Sequence, residues 1–191
     1  MRRLYEWTLG LAAHPRALWA LALIAFLESS VFPIPPDVLI LPMVIAAPRR
    51  GLLIATVALA ASVAGGMLGY AIGALAYDSI GARIIAFYGL EDGFARFRET
   101  YNQWGAWAVL IAGVTPFPYK VITILSGLTG LDLGVFTLSS IIARGLRFFL
   151  LAGLLMAFGE PIRAFIERRF GLVSTLFVLL LLGGFAALRF L

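Results

Sequence analysis

The chain has 191 residues, of which 62% are hydrophobic and only 13% are Asp, Glu, Lys or Arg. Soluble domains average about 45–50% apolar and about 25% charged residues, so this composition excludes a soluble enzyme and a disordered chain. It predicts one compact membrane unit. The net charge is +5, and the basic residues flank apolar runs, so we expect anionic lipid headgroups rather than nucleic acid as partners.

Residues 1–16 combine basic residues with a short apolar stretch, as a secretory signal does. Glu6 lies inside this stretch and Arg16 follows it, so we do not expect cleavage. We interpret residues 1–16 as an amphipathic segment at the membrane interface.

Residues 17–77 are predicted to form a first repeat, a broken hairpin followed by a transmembrane helix. Its apolar arms, 17–27 and 38–48, have 11 residues each. Each arm makes about 16 Å of helix, half the hydrocarbon thickness of about 30 Å. Two such arms predict a re-entrant hairpin, or else one broken spanning helix, around three prolines that interrupt helices: Pro33, Pro35 and Pro36. The uncharged stretch 51–77 is long enough to span, and it carries a small-residue seam: Gly65, Gly69 and Gly73.

Residues 78–99 are the most polar stretch and are predicted to form an interfacial connector. Phe94 and Phe97 begin an aromatic stripe on one helical face, while the charged residues lie elsewhere around the helix.

Residues 100–159 are predicted to repeat the first unit. The segment PFPYK, with breaks at Pro116 and Pro118, follows PIPPD at a distance of 83 residues, and each precedes 11 apolar residues and a long span. We expect residues 28–37 and 115–120 to be non-helical breaks that approach each other. Residues 160–191 are predicted to be an amphipathic helix, starting at Pro161, and a final transmembrane helix.

The predicted fold class is therefore an all-α polytopic membrane protein with a single membrane domain, residues 1–191. It is an inverted repeat of a re-entrant (broken) helical hairpin plus a transmembrane helix, with interfacial amphipathic helices. Transporters are often built from such repeats, and their binding sites lie near the bilayer midplane.

Charged residues within or beside apolar segments are costly and indicate function, and five qualify: Glu28, Asp37, Lys120, Arg144 and Arg147. Two acids from the first repeat facing three cations from the second predict a buried, partly paired cluster. The excess of cations leaves donors for an anion such as a lipid phosphate, and a buried carboxylate there could exchange a proton. The alternative is that the charges only hold the hairpins together.

The chain contains no HExxH, Walker, GxSxG or aspartate-rich lipid-transferase motif. With no cysteine and one histidine, it also lacks thiolate chemistry and an imidazole pair for a metal. We therefore expect no enzymatic activity, no catalytic residues, no cofactor and no metal site.

Three stretches resemble the DedA family of bacterial membrane proteins, part of the SNARE-associated or VTT superfamily: Glu28 with FPIPPD, GGMLGYAIG at 65–73, and TPFPYK. The resemblance covers residues 17–160 and is greatest to the YqaA-like branch. It implies facing re-entrant hairpins and transport of lipids, including phosphatidylethanolamine and polyprenyl phosphate carriers, with a link to proton-motive force. The family's acidic pair corresponds to Glu28 and Asp37. Its paired arginines carry over only in part, because Gly113 and Lys120 stand where they would be expected.

The sequence thus predicts a multi-pass protein of the bacterial inner membrane that transports or flips a phosphate-bearing lipid, with proton coupling as an option. One alternative is a small-ion or drug/proton antiporter that uses the same acidic pair. Another is a non-transporting envelope assembly factor in which the charges are structural. An oligomer is compatible with each of these functions.

Overall fold

The computed structural model describes residues 16–31, 35–115 and 117–187, and their side chains up to residue 159 and at Pro161. The described structure is 90% helical and contains no strand, which confirms the all-α class. Most of the predicted interfacial segment 1–16, together with Pro33 and Pro116, lies outside the described residues. The helices are α1 (Ala17–Ser30), α2 (Asp37–Ala46), α3 (Gly51–Ala76), α4 (Ala82–Phe87), α5 (Glu91–Val114), α6 (Tyr119–Thr129) and α7 (Leu133–Ala187).

Both proline-containing breaks are present, but they are shorter than predicted. The first lies between Ser30, the last residue of α1, and Asp37, the first residue of α2. The second lies between Val114 and Tyr119, with Thr115 and Pro118 in extended conformations. Proline restricts the backbone conformation of itself and of the residue before it. The helices therefore extend closer to the prolines than the polar residues at the predicted limits indicated.

The predicted connector 78–99 is not a separate element. A five-residue π-helix, Tyr77–Gly81, joins α3 to α4, and α5 runs through position 100 without interruption. Polarity changes at 77 and 99, but a polarity change does not interrupt backbone hydrogen bonding. The actual turn follows Phe87, where Gly89 has a φ of +63°, a conformation that glycine adopts without strain.

The predicted helix start at Pro161 is also absent, because α7 is continuous over 55 residues with Pro161 inside it. A proline removes one backbone hydrogen bond at a cost of about 3 kcal/mol. Intact turns on both sides of Pro161 outweigh this local loss. The predicted final transmembrane helix, 170–188, is thus the continuation of α7 to Ala187, and its side chains are outside the described set.

The glycine seam on α3 permits close helix packing, as predicted, and it contacts one hairpin on each part of its length. A Cβ at Gly65 would collide with the Phe26 carbonyl of α1, and a Cβ at Gly73 would collide with the Ile124 carbonyl of α6. The absence of side chains at these positions lets the backbones approach closely. Helix α3 therefore packs against both hairpins.

The two hairpins lie at opposite ends of α3. In the first, α1 and α2 pack on the early part of α3, where Leu21 and Val44 share a buried cluster with Ile54. In the second, α6 packs on the later part of α3, where Tyr70 donates a hydrogen bond to the Leu131 carbonyl just after α6, and α5 packs on α6 and α7. The ends of both hairpins that carry the breaks point inward and meet beside the middle of α3.

Two described helical stretches are long and apolar enough to cross a membrane: Pro48–Phe87 and Leu133–Gly159. Only 39% and 33% of their most apolar windows are buried inside the protein. A core helix of a soluble protein would be mostly buried, whereas less than half of each of these windows is buried.

Candidate functional site

The five charged residues predicted to form a site come together where the two breaks meet. Glu28 lies in the last turn of α1, and Asp37 is the first residue of α2. Lys120 lies in the first turn of α6, and both arginines lie on α7. The structure pairs each acid with one arginine and places Lys120 against the first break.

The first ion pair joins Glu28 to Arg144 and is nearly inaccessible. Arg144 is 2% exposed and Glu28 is 13% exposed. The Nε of Arg144 donates to Ser62 Oγ at 2.7 Å, and its Nη2 donates to Glu28 and, at 3.4 Å, to Ser29 Oγ. A buried charge is tolerated only when it is paired and hydrogen-bonded, and Arg144 meets both conditions within the protein.

Aromatic rings enclose the same guanidinium. The Cζ of Arg144 lies 4.7 Å from the ring centroid of Tyr119 and 4.9 Å from that of Phe148. The planar guanidinium suits such stacking, which a lysine ammonium would not reproduce. Tyr119 is itself completely buried, and its hydroxyl donates to Ser140. Arg144 is therefore held on several sides by groups from three helices.

The second ion pair joins Asp37 to Arg147 and is more open. Asp37 is 25% exposed and Arg147 is 22% exposed. The Nη2 of Arg147 pairs with Asp37 Oδ2, and its Nη1 donates to the Thr115 carbonyl at 2.8 Å. The Oδ1 of Asp37 is buried and has no hydrogen-bond partner among the residues that the structure describes. Arg147 thus links the start of α2 to the second break, whereas one oxygen of the Asp37 carboxylate is unsatisfied among the described residues.

Lys120 makes a reciprocal contact across the two breaks. It follows the second break, and its Nζ donates to the Val31 carbonyl in the first break at 3.4 Å. Among the residues the structure describes, Lys120 forms no ion pair. This cation is consequently the least satisfied of the three.

Hydroxyl groups complete the junction between the hairpins. Ser29 Oγ lies 2.7 Å from Ser62 Oγ on α3. Thr123 Oγ1 on α6 donates to the Ser29 carbonyl at 3.0 Å. The sequence prediction did not include Ser29, Ser62 or Thr123. Their signal was small hydroxyl residues within apolar segments, where such groups require partners.

The site lies near the middle of both long apolar helices. Ser62 is close to the centre of α3, and Arg144 and Arg147 flank residue 146, the centre of Leu133–Gly159. Among the residues whose side chains the structure describes (16–31, 35–115, 117–159 and 161), no group of three His, Cys, Asp or Glu side chains is positioned to hold a metal. The chemistry available is that of carboxylates, guanidinium groups and one ammonium, which can exchange ionic partners.

Comparison with known proteins identifies two bacterial relatives. An uncharacterized protein of Haemophilus influenzae is 33% identical over 171 residues, which cover 90% of this chain and 88% of the relative. An uncharacterized protein of Histophilus somni is 32% identical over 161 residues, 84% of each chain. No family model matches the sequence, and no solved structure matches it. The chain belongs to the family of these uncharacterized proteins.

Proposed function

We propose that this member of the family is a multi-pass protein of the bacterial inner membrane that transports a phosphate-bearing lipid across the bilayer. The observation that carries the proposal is the two ion pairs that join both helices of the first hairpin to α7, together with the hydrogen bond from Arg147 to the second break, beside the centres of two long apolar helices. The bacterial origin of both relatives supports the location.

The lengths of the helices support a re-entrant arrangement. Helices α1, α2 and α6 have 14, 10 and 11 residues. At 1.5 Å per residue, each is shorter than the hydrocarbon core of about 30 Å. Irregular backbone at membrane depth requires burial within protein or contact with a water-filled cavity. Lys120 of α6 contacts the Val31 carbonyl in the first break, and Arg147 of α7 contacts the Thr115 carbonyl in the second, which supports such an arrangement.

The inverted placement of the hairpins supports a transport function. Transporters built from inverted repeats place their substrate near the midplane, where broken helices meet. Here the hairpins lie at opposite ends of α3, and Thr123 of one contacts the Ser29 carbonyl of the other. This arrangement is the one that the resemblance to the DedA family implies.

The cations support a phosphate as the recognised group. Glu28 and Asp37 neutralise two of the three cations, so the cluster retains one positive charge. Guanidinium and ammonium groups are the usual partners of phosphate oxygens. Arg147 and Lys120 are the accessible cations, whereas the donors of Arg144 are directed at protein groups. Arg144 therefore contributes to the site by holding the hairpins, and Arg147 and Lys120 contact the phosphate.

The test is translocation of fluorescent lipids by the purified protein in proteoliposomes, with several headgroups and with or without a pH gradient. The proposal predicts faster translocation of phosphate-bearing lipids than of their dephosphorylated counterparts. A requirement for a pH gradient without any preference among lipids would instead indicate an antiporter. The buried Oδ1 of Asp37, which has no partner among the described residues, would be compatible with that function. Absence of transport would leave the assembly-factor alternative.

A further inference from the structure

The two ion pairs of the site differ in a way that assigns them different roles. Glu28–Arg144 is nearly sealed, and Arg144 has hydroxyl and aromatic partners in addition to the acid. Asp37–Arg147 is roughly a quarter exposed, and the acid in it has one buried oxygen without a partner. Separating an ion pair whose hydrogen bonds are all satisfied costs much free energy. Exchanging one partner costs less when the groups of the ion pair are only partly hydrogen-bonded.

We infer that the Asp37 carboxylate is an internal substitute for the substrate phosphate, and that the phosphate displaces it from Arg147. This inference rests on the proposed function and specifies how the lipid headgroup is recognised. Asp37 occupies the Nη2 side of Arg147, while Nη1 donates to the Thr115 carbonyl. The exchange replaces one charge-assisted hydrogen bond with another and leaves the contact with the second break intact.

Lys120 supplies the second contact that the phosphate requires. Its ammonium follows the second break and, within the described part of the chain, makes one hydrogen bond, of 3.4 Å, to the Val31 carbonyl in the first break. A phosphate oxygen is a stronger acceptor than a neutral carbonyl, so the ammonium gains by exchanging its partner. Arg147 and Lys120 both donate hydrogen bonds to backbone carbonyls of the breaks. The phosphate therefore binds where side chains hold the two hairpins together.

Removal of the Asp37 carboxylate should therefore increase phosphate affinity. We would measure binding of dioctanoyl phosphatidate to the purified full-length protein, with dioctanoylglycerol as the phosphate-free lipid and inorganic phosphate as the lipid-free anion. Asp37→Asn and Asp37→Ala should each bind phosphatidate about tenfold more tightly than the parent protein, because a competing charge-assisted bond is absent. Two substitutions guard against a folding defect in one, and thermal unfolding reports on both.

Glu28→Gln is the matched control, because it removes the other carboxylate of the same cluster. It should give no gain, since Arg144 stays enclosed by Ser62 and two rings. Adding Arg147→Ala to Asp37→Ala should abolish the gain. A gain for phosphatidate and inorganic phosphate alike would support exchange at a site that recognises phosphate from either source. A gain for phosphatidate alone would support exchange that also requires the lipid chains.

Unchanged or weaker phosphatidate binding in both Asp37 variants would overturn the inference, as would an equal gain in Glu28→Gln. Failure of every variant to prefer phosphatidate over dioctanoylglycerol would also overturn it. Translocation by the unmodified protein, measured on the same preparation, separates this failure from that of the proposed function. If the unmodified protein translocates lipid but the Asp37 variants show no gain in affinity, only the exchange of Asp37 for phosphate is excluded.

Discussion

Glu28 and Arg144 form a buried ion pair although they are 116 positions apart in the sequence. The pair connects the first hairpin to the helix that follows the second hairpin, and it lies beside the centre of α3. Because the hairpins enter from opposite ends of α3, this contact ties the two repeats together at their innermost point. It therefore supports the structural alternative for Glu28 and Arg144, while Asp37, Arg147 and Lys120 retain accessible polar groups.

Removal of either partner of the Glu28–Arg144 pair should destabilise the protein. Arg144→Met leaves Glu28 buried without its cation, and breaking a buried pair in this way costs about 3–5 kcal/mol. Combining Arg144→Met with Glu28→Gln removes both charges and should recover much of the loss. Thermal unfolding in detergent, arranged as a double-mutant cycle, measures the coupling. Strictly additive losses would show that the two side chains do not stabilise each other.

Changes at Arg147 should impair transport more than stability. Arg147→Ala removes the contacts with Asp37 and Thr115, but these groups are partly exposed and water can replace some of the lost bonds. Arg147→Lys should also impair transport, because an ammonium cannot make the same two directed contacts. The measurement compares translocation with the melting temperature for both variants. A melting temperature as low as that of Arg144→Met would indicate that both pairs are structural.

The close approach of α1 and α6 to α3 predicts opposite effects for alanine at different glycines. Gly65→Ala and Gly73→Ala place a Cβ against the carbonyls of Phe26 and Ile124, so both should lower the melting temperature. Gly153→Ala is the control because a Cβ there meets nothing within 4 Å. Alanine is favoured over glycine in a helix by about 1 kcal/mol, so this control should be neutral or stabilising. Equal effects at all three positions would contradict the seam.

The contact between the two breaks can be tested by cross-linking, since the native chain has no cysteine. Val31→Cys combined with Lys120→Cys should cross-link with a short bifunctional thiol reagent, because Lys120 reaches the Val31 carbonyl. Val31→Cys combined with Phe87→Cys is the control, since Phe87 lies at the far end of the helical stretch that contains α3. Cross-linking of the control pair alone would rule out the packing of the hairpins described above.

The sequence was sufficient to predict the two breaks, the close packing at the glycine seam and the clustering of the five charged residues, because each prediction rests on a strong local rule. Prolines interrupt helices, small residues permit close packing, and charges in apolar segments require partners. Composition could not determine which arginine pairs with which acid, since Arg144 and Arg147 lie three positions apart on the same helix. That choice depends on Ser62, Tyr119 and Phe148, whose position beside Arg144 is fixed only by tertiary packing.

The boundaries of helices were predicted less well where they were inferred from residue type alone. Residues 78–99 were separated from their neighbours because they are polar, yet the helices cross both limits. Proline favours the first turn of a helix, yet α7 continues through Pro161. The first error comes from side-chain polarity and the second from the local preference of proline, and in both cases the helix continues across the predicted limit.

The central claim is that the junction of the two breaks recognises the phosphate of a transported lipid. The most direct measurement is translocation of a fluorescent phosphate-bearing lipid in proteoliposomes by the unmodified protein, by Arg147→Ala and by Arg49→Ala. Arg49 is an exposed arginine in the short helical turn before α3, away from the junction. The account predicts rapid translocation by the unmodified protein and by Arg49→Ala, and a loss of at least about tenfold in Arg147→Ala. Equal translocation by all three proteins, or none by the unmodified protein, would contradict it.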